Sequence, residues 1–146
     1  MSTLHVEAEA TTRATTEILW PLLADATAYE KWGPWNASGY EDPGASRRAT
    51  GVIRWMRLGR TTTYERVVEL DEGKRLAYTV VRGIPVRNYR AVVTLTPADA
   101  GTHIDWRATW DSTLLGRIVQ WKLRKFYPEM MASLVAAAEA QVSSMH

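Results

Sequence analysis

The feature that most constrains the fold is a long run of helical periodicity near the end of the chain, in residues 111–142. Apolar residues recur there every three or four positions, which is the spacing of one helix face. They are Leu115, Ile118, Val119, Leu123, Phe126, Tyr127, Met130, Met131, Leu134, Val135 and Ala138. A helix of about 30 residues is roughly 45 Å long, and Asp111 or Ser112 is its predicted N-cap. An apolar stripe this long must be buried against another element of similar length.

The preceding chain offers β-strands for that purpose. A first strand is predicted at residues 4–13, and two short helical segments follow within residues 15–32. Residues 32–46 are loop-like, with a short strand at 37–41. Longer strands are predicted at residues 50–58, 61–70, 74–82, 87–96 and 102–110. Short turns join these strands into an antiparallel meander, which curls because strands twist. The sequence therefore predicts one α+β domain over residues 1–146, with a curved sheet around the long C-terminal helix.

Composition excludes several classes of function. The net charge is only +2 and the basic residues are scattered, so no nucleic-acid partner is expected. The chain has no cysteine, and His5, His103 and His146 lack ligand spacing, so no metal site is expected. No phosphate-binding loop or nucleophile elbow is present, and no cofactor is expected. The first residues lack the apolar core of a signal peptide, and no apolar run reaches the ~20 residues of a membrane span, so a cytoplasmic protein is expected.

Alternation along each strand predicts which side chains face the helix. With Glu65 and Glu69 assigned to water, the neighbouring residues of that strand point inward. The predicted inward set is Ile53, Trp55, Tyr64, Arg66, Val68, Leu70, Leu76, Tyr78, Val80, Arg82, Arg87, Tyr89, Ala91, Val93, Leu95, Ile104, Trp106, Ala108 and Trp110. Core packing explains any single aromatic residue of this set. Three inward tyrosine hydroxyls, however, need hydrogen-bond partners, which favours a cavity that holds solvent or a ligand.

The same alternation places three arginines inward with no inward carboxylate. A buried guanidinium without a partner is costly. Arg82 and Arg87 flank a turn and are interpreted as reaching back to solvent. Arg66 lies in mid-strand, and we expect it to contact an anionic group of a ligand or to pair with an acid that the sequence does not identify.

Three local motifs resemble those of a known superfamily. They are Trp32-Gly-Pro-Trp35, Asp71-Glu-Gly-Lys-Arg-Leu-Ala-Tyr78 and Gly101-Thr-His-Ile-Asp-Trp106. In order and spacing the chain resembles the START-related superfamily (SRPBCC) of polyketide cyclases, dehydrases and lipid-transport proteins, which shares the helix-grip fold of the birch pollen allergen. The resemblance implies a cavity between sheet and long helix that holds an apolar small molecule. It implies no particular reaction.

The predicted ligand-binding residues follow from the inward faces and the resemblance. They are Trp35, Trp55, Tyr64, Arg66, Tyr78, Arg87, Tyr89, Trp106, Leu115, Val119, Leu123 and Tyr127. The first half of the long helix, residues 115–127, is expected to flank the cavity, and residues 130–140 to pack against the sheet. No catalytic residue is assigned.

The expected function is to bind a lipid, a polyketide or a similar apolar molecule, either with or without an anionic group. One alternative is a cyclase or dehydratase that uses the same cavity, with Arg66 and Tyr64, Tyr78 or Tyr89 polarising a carbonyl. A second alternative is a protein-interaction module. Residues 117–125 are basic and amphipathic. A solvated helix face is the simpler interpretation of this segment, and contact with an anionic membrane is the other. Nothing in the sequence predicts an oligomeric state.

Overall fold

The computed structural model of the protein describes residues 2–44 and 49–145. Residues 45–48, which include the end of the predicted loop, and His146 lie outside the described residues. The strands are β1 (Thr3–Thr12), β2 (Ala37–Tyr40), β3 (Ile53–Leu58), β4 (Thr61–Asp71), β5 (Arg75–Arg82), β6 (Arg90–Ala98) and β7 (Gly101–Asp111). The helices are α1 (Thr16–Ala24), α2 (Tyr29–Trp32), which follows a 3-10 turn at Ala26–Ala28, and α3 (Leu114–Ser144).

The seven strands form one antiparallel sheet in the order β1-β7-β6-β5-β4-β3-β2. Consecutive strands from β2 to β7 pair with each other, and β1 closes the sheet beside β7. The curved sheet and the long C-terminal helix confirm the predicted α+β helix-grip architecture. Within residues 2–44 and 49–145, no helix is both long enough and apolar enough to cross a membrane.

Helix α3 begins after Thr113, and not at the predicted N-cap. The Thr113 hydroxyl accepts a hydrogen bond from the Gly116 amide at 2.8 Å, which satisfies one free donor of the first turn. The prediction of Asp111 or Ser112 was wrong because β7 continues to Asp111, where it still pairs with Thr3. The N-cap keeps extended geometry and directly precedes the first helical residue, which is Leu114, so Thr113 and neither earlier residue occupies this position.

Hydrogen bonds fasten α3 along β1 at both ends. Gln120 donates to the His5 carbonyl at 3.1 Å, and the Thr12 hydroxyl donates to the Glu139 carboxylate at 2.7 Å. The two elements therefore run in the same direction. Between these points α3 buries its apolar stripe against the sheet, and Leu134 is fully buried.

The inward faces of β6 and β7 were predicted correctly. Every inward position assigned there from Tyr89 onward is buried; these are Tyr89, Ala91, Val93, Leu95, Ile104, Trp106, Ala108 and Trp110. These two strands lie in the middle of the sheet, where one face is covered by the helix and the other is more polar. Alternation of apolar and polar residues is clear under those conditions.

The predicted faces of β3 and of most of β4 were wrong. Arg54, Met56 and Val67 are buried, and Arg66 is exposed. Ile53 and Trp55, which alternate with Arg54 and Met56, consequently lie on the outer face, as does Tyr64 opposite Trp55. The sequence favoured the opposite choice because the outer face of these strands carries the more apolar and aromatic side chains.

Two irregularities in the pairing of β4 with β5 also change the faces. Tyr64 pairs with Arg82 while Glu65 pairs with Val80, so Val81 is an extra residue in β5. A bulge of this kind reverses the alternation of inward and outward side chains beyond it. The inner face assigned to Arg82 was wrong, although its exposure agrees with the interpretation that it reaches solvent. Its guanidinium lies 3.8 Å from the centre of the Tyr64 ring and pairs with Glu41 at 3.2 Å. A second shift between Val67 and Glu69 leaves Val68 exposed, contrary to the prediction. The predicted inward position of Arg87 was wrong as well, because β6 begins only at Arg90 and Arg87 is exposed.

Candidate functional site

A cavity of about 780 Å³ lies between the sheet and the first half of α3. This volume falls within the range of roughly 300–1,000 Å³ that is usual for small-molecule sites. Most of its wall is apolar or aromatic, contributed by Trp35, Met56, Leu58, Val80, Ile84, Pro85, Leu115, Ile118, Val119, Leu123, Phe126 and Met130. The part of α3 beyond Met131 does not border the cavity and is packed against the sheet.

The Trp32-Gly-Pro-Trp35 motif forms one side of the cavity. The buried Trp32 indole donates to the Leu22 carbonyl at 2.8 Å, which links α2 to α1. Trp35 then packs edge-on against Phe126 of α3, with ring centres 5.7 Å apart. A Cβ atom on Gly33 would overlap the Trp35 ring, so the glycine permits this close approach. The motif thereby connects α2 to α3 across the cavity wall.

The inner end of the cavity is polar. Glu65, Tyr29, Tyr78, Tyr89 and Tyr127 all line it. The hydroxyls of Tyr89 and Tyr127 are hydrogen-bonded at 2.7 Å, and the indole N–H of Trp106 donates to the Tyr78 hydroxyl at 3.2 Å. An apolar cavity that ends in a small group of polar side chains is typical of sites that orient a ligand by one polar group.

Burial keeps these phenols protonated. It raises the pKa of Tyr78, Tyr89 and Tyr127 well above the usual tyrosine value. It also raises the pKa of Tyr29 to about 12. The negative charge of Glu65 adds to the increase for all four tyrosines, so its carboxylate lies near each of them. At neutral pH the inner end of the cavity therefore contains one acidic group among neutral hydroxyls.

Glu65 is held by a buried arginine behind the cavity wall. The Arg54 Nε donates to Glu65 Oε1 at 3.0 Å, and its Nη1 donates to the Leu23 carbonyl and the Tyr29 hydroxyl, both at 3.1 Å. The guanidinium also lies between two rings, 4.8 Å from the centre of Tyr29 and 4.7 Å from that of Tyr78. The Arg54 side chain is 1% exposed and that of Glu65 is 12% exposed, so the carboxylate borders the cavity while the cation lies behind it.

The charges of this pair are set by burial and by each other. Burial lowers the pKa of Arg54, but Tyr29 and Glu65 outweigh that effect, and the resulting pKa lies above the usual arginine value. Burial also raises the pKa of Glu65, although Arg54 opposes the increase. The Leu23 carbonyl belongs to the last turn of α1, where the helix dipole favours a cation. Arg54 thus joins α1, α2 and the sheet beneath the cavity.

The described residues contain no group of three His, Cys, Asp or Glu side chains that could hold a metal ion.

Residues 3–139 match the sequence pattern of a protein family described as Polyketide cyclase / dehydrase and lipid transport. The chain belongs to this family. The match covers every strand and nearly all of α3, so the sheet, the long helix and the cavity between them all lie within the family's domain. A comparison with curated protein sequences gave no match.

Solved structures from several organisms share the family fold over almost the whole chain. A protein from Thermobifida fusca is 28% identical, and the alignment covers 94% of this chain and 93% of that one, with a TM-score of 0.75. A protein from Nitrosospira multiformis is 18% identical over 91% of this chain and 94% of its own, with a TM-score of 0.77. XoxI from Bacillus cereus is 16% identical over 100% of this chain and 99% of its own, with a TM-score of 0.72. At these lower identities the similarity shows the fold alone.

The family fold brings most of the predicted ligand-binding residues to the cavity. Those that line it are Trp35, Tyr78, Tyr89, Trp106, Leu115, Val119, Leu123 and Tyr127. Trp55, Tyr64, Arg66 and Arg87 do not line it. The first three lie on the outer face of β3 and β4, and Arg87 is exposed before β6. Whether the lining residues contact a ligand stays a prediction.

Sequence reasoning missed the Arg54–Glu65 pair, although one signal for it was present. A two-residue turn at Gly59-Arg60 places Arg54 directly opposite Glu65 in the hairpin of β3 and β4. Opposite charges at directly paired positions attract each other. The pair and its register could therefore have been predicted, but its inward direction depends on Leu23 and Tyr29, which are far away in sequence.

Proposed function

We propose that the protein binds an apolar small molecule whose single polar group is a neutral hydroxyl directed toward Glu65. The polyketide cyclase / dehydrase and lipid transport family supports a role in binding hydrophobic ligands. The observation that carries the finer statement is the position of Glu65 among tyrosine hydroxyls at the inner end of a cavity whose wall is mostly apolar. Its carboxylate accepts hydrogen bonds, and Arg54 already balances its charge, so a neutral donor fits best.

This proposal assigns a neutral polar group to the ligand, where the sequence had left an anionic group open. The expected contact for an anion was Arg66, which lies exposed on the opposite face of the sheet. An anionic group at the inner end of the cavity would meet the Glu65 carboxylate and would be repelled by it. The cations that do line the cavity, Lys122 and Lys125, are exposed at its opening.

The hydroxyl preference is tested with two aromatic probes of similar shape, 2-naphthol and 2-methoxynaphthalene. Calorimetric titration of the wild-type protein is expected to show about tenfold tighter binding of 2-naphthol, because a hydrogen bond to a charged acceptor contributes about 1.5 kcal/mol or more. In Glu65→Gln the preference is expected to disappear, because the amide presents a donor toward the cavity. Equal affinities for the two probes in the wild-type protein contradict the proposal.

Glu69→Gln is the matched control for this titration. Glu69 is on the same strand but pairs with Arg75 and Arg90 on the outer face. The substitution removes the same charge without changing the cavity. It is expected to leave both affinities, and the preference between the probes, at their wild-type values.

A second candidate function, acid–base catalysis in the same cavity, is favoured by the carboxylate of Glu65 among protonated phenols. A carboxylate can remove a proton from carbon while a phenol stabilises the oxygen anion that forms. The probe is 5-nitrobenzisoxazole, in which transfer of the C–H proton to Glu65 breaks the N–O bond and releases a coloured phenolate. The wild-type rate is expected to exceed that of Glu65→Gln by about 10²-fold. Equal rates for the two proteins contradict catalysis by Glu65 and leave ligand binding as the proposed function.

A further inference from the structure

The opening of the cavity carries an unusual group of exposed apolar side chains. They lie on the first two turns of α3: Leu114 is 81% exposed, Leu115 55%, Ile118 48% and Trp121 75%. Leu115, Ile118 and Trp121 also line the cavity, and Leu58 of the neighbouring hairpin borders it with 43% exposure. We call this group of five side chains the rim. Contiguous apolar surface of this kind marks a binding surface, because scattered exposure of single residues is the ordinary case.

Exposed cations are interleaved with the rim. Arg117, Lys122, Arg124 and Lys125 are all exposed on the same segment of α3. None of them forms a salt bridge with any residue in the described ranges 2–44 and 49–145. The sequence has no Asp or Glu between residues 112 and 128. The next acidic residue along α3 is Glu129, which also lines the cavity. Residues 112–129 therefore carry four positive charges and one negative charge, whereas the net charge of the whole chain is only +2.

The helical spacing places these two kinds of side chain on one face. Leu114, Ile118, Trp121 and Lys125 follow each other at intervals of three or four residues and therefore share one side of α3. The inward side of the same segment carries Val119, which is buried. An amphipathic segment with Trp and Leu among Lys and Arg is suited to lie in the interface of an anionic membrane. Indole rings favour the level of the lipid headgroups.

We propose that the rim docks on an anionic lipid surface, with the opening of the cavity facing the membrane. A second copy of the chain is a poorer occupant, because it would bring the four exposed cations beside one rim against the four beside the other. On a membrane the apolar side chains enter the headgroup boundary and the cations meet anionic headgroups. An apolar ligand can then pass between lipid and cavity without crossing water. This docking rests on the rim and the cations beside it, and it does not depend on which ligand the cavity holds.

The test is co-sedimentation with vesicles of phosphatidylcholine alone and with roughly one third phosphatidylglycerol. Wild-type protein is expected to bind the anionic vesicles, to bind pure phosphatidylcholine at least about tenfold more weakly, and to be released by salt. The Trp121 emission, obtained as the difference between wild type and Trp121→Ser, is expected to shift to shorter wavelength on binding. Lys122→Gln combined with Lys125→Gln is expected to weaken binding by roughly 25-fold, about fivefold for each charge.

Leu114→Ser separates docking from ligand binding, because Leu114 belongs to the rim but does not line the cavity. It is expected to reduce vesicle binding several-fold and to leave the affinity for 2-naphthol unchanged. The matched control for the lysine pair is Arg66→Gln combined with Lys74→Gln, which removes one exposed charge from the outer face of β4 and one from the turn before β5, at the end of that strand opposite the cavity opening. If Leu114→Ser and the Lys122→Gln, Lys125→Gln double variant both bind vesicles as tightly as the wild type, the proposal is overturned. A dimer in solution that Leu114→Ser disrupts, without vesicle binding, overturns it in favour of self-association.

Discussion

Replacement of Arg54 by methionine is expected to lower the free energy of unfolding by about 3–5 kcal/mol at neutral pH, the largest effect of any substitution considered for this chain. The variant leaves the Glu65 carboxylate at the inner end of the cavity without its cation. It also leaves the Leu23 carbonyl with one donor fewer. The measurement is urea unfolding followed by circular dichroism, with the slope of the transition checked against the wild type.

The pH dependence of this variant follows from the pKa of Glu65. Burial already raises that pKa in the wild-type protein, and loss of Arg54 raises it further above the unfolded value of about 4.3. A carboxyl with a raised pKa in the folded state destabilises the fold at pH above that pKa, and the penalty fades as the pH falls through it. The stability difference between Arg54→Met and the wild type is therefore expected to be smaller near pH 5 than near pH 7.

A double variant identifies the cause of the loss. In Arg54→Met with Glu65→Leu, apolar side chains replace both charges, and such replacements of buried pairs are often neutral. Most of the lost stability is expected to return. If the double variant is as unstable as Arg54→Met alone, the loss comes from the contacts of Arg54 with α1 and Tyr29 and not from the unpaired carboxylate.

Leu134→Ala is expected to lower the free energy of unfolding by about 3 kcal/mol, because it opens a cavity in a fully buried contact between α3 and the sheet. Its matched comparison is Val119→Ala, which lies on the same helix but borders the existing cavity. The atoms removed from the cavity wall have fewer packing neighbours than those of Leu134. The free energy of unfolding of Val119→Ala is therefore expected to fall by no more than about 1.5 kcal/mol. Urea unfolding of both variants checks this difference.

The affinity for 2-naphthol is expected to show the opposite pattern. Val119→Ala is expected to weaken binding by about three- to tenfold, since part of the apolar contact with the probe is lost. Leu134→Ala is expected to leave the affinity within about twofold of the wild type in conditions where it is folded, because Leu134 does not border the cavity. If Leu134→Ala weakens binding and Val119→Ala does not, the ligand lies at the other end of α3.

The strongest sequence signals gave the parts of the fold that the structure reproduces. The apolar stripe of α3 and the alternation in β6 and β7 were both readable, because each element has one face in the core and one in water. Residues such as Tyr89, Trp106 and Val119 could therefore be placed at a common interior surface. Their shared position was predictable because the apolar side chains that set the sequence period of each element are also the side chains that it buries.

The prediction of the inward face failed where both faces of a strand carry large apolar and charged residues. In β3 and β4 one face holds Trp55 and Tyr64, and the other holds the Arg54–Glu65 pair. Local pattern favours the aromatic face for the interior. The structure buries the charged pair instead, because the Leu23 carbonyl and the Tyr29 hydroxyl accept hydrogen bonds from the guanidinium from outside the sheet.

The sequence by itself thus determined the order of elements, the length of α3, the aromatic character of the cavity and even the pairing of Arg54 with Glu65. These features depend on spacing along the chain. Only the tertiary structure decided which face of β3 and β4 lines the cavity, and hence that its inner end is a carboxylate and not an arginine. The physical reason is that burial of a charge is costly unless other groups form hydrogen bonds with it, as Glu65, the Leu23 carbonyl and the Tyr29 hydroxyl do with Arg54. Those groups come together only when α1, α2 and the sheet have packed.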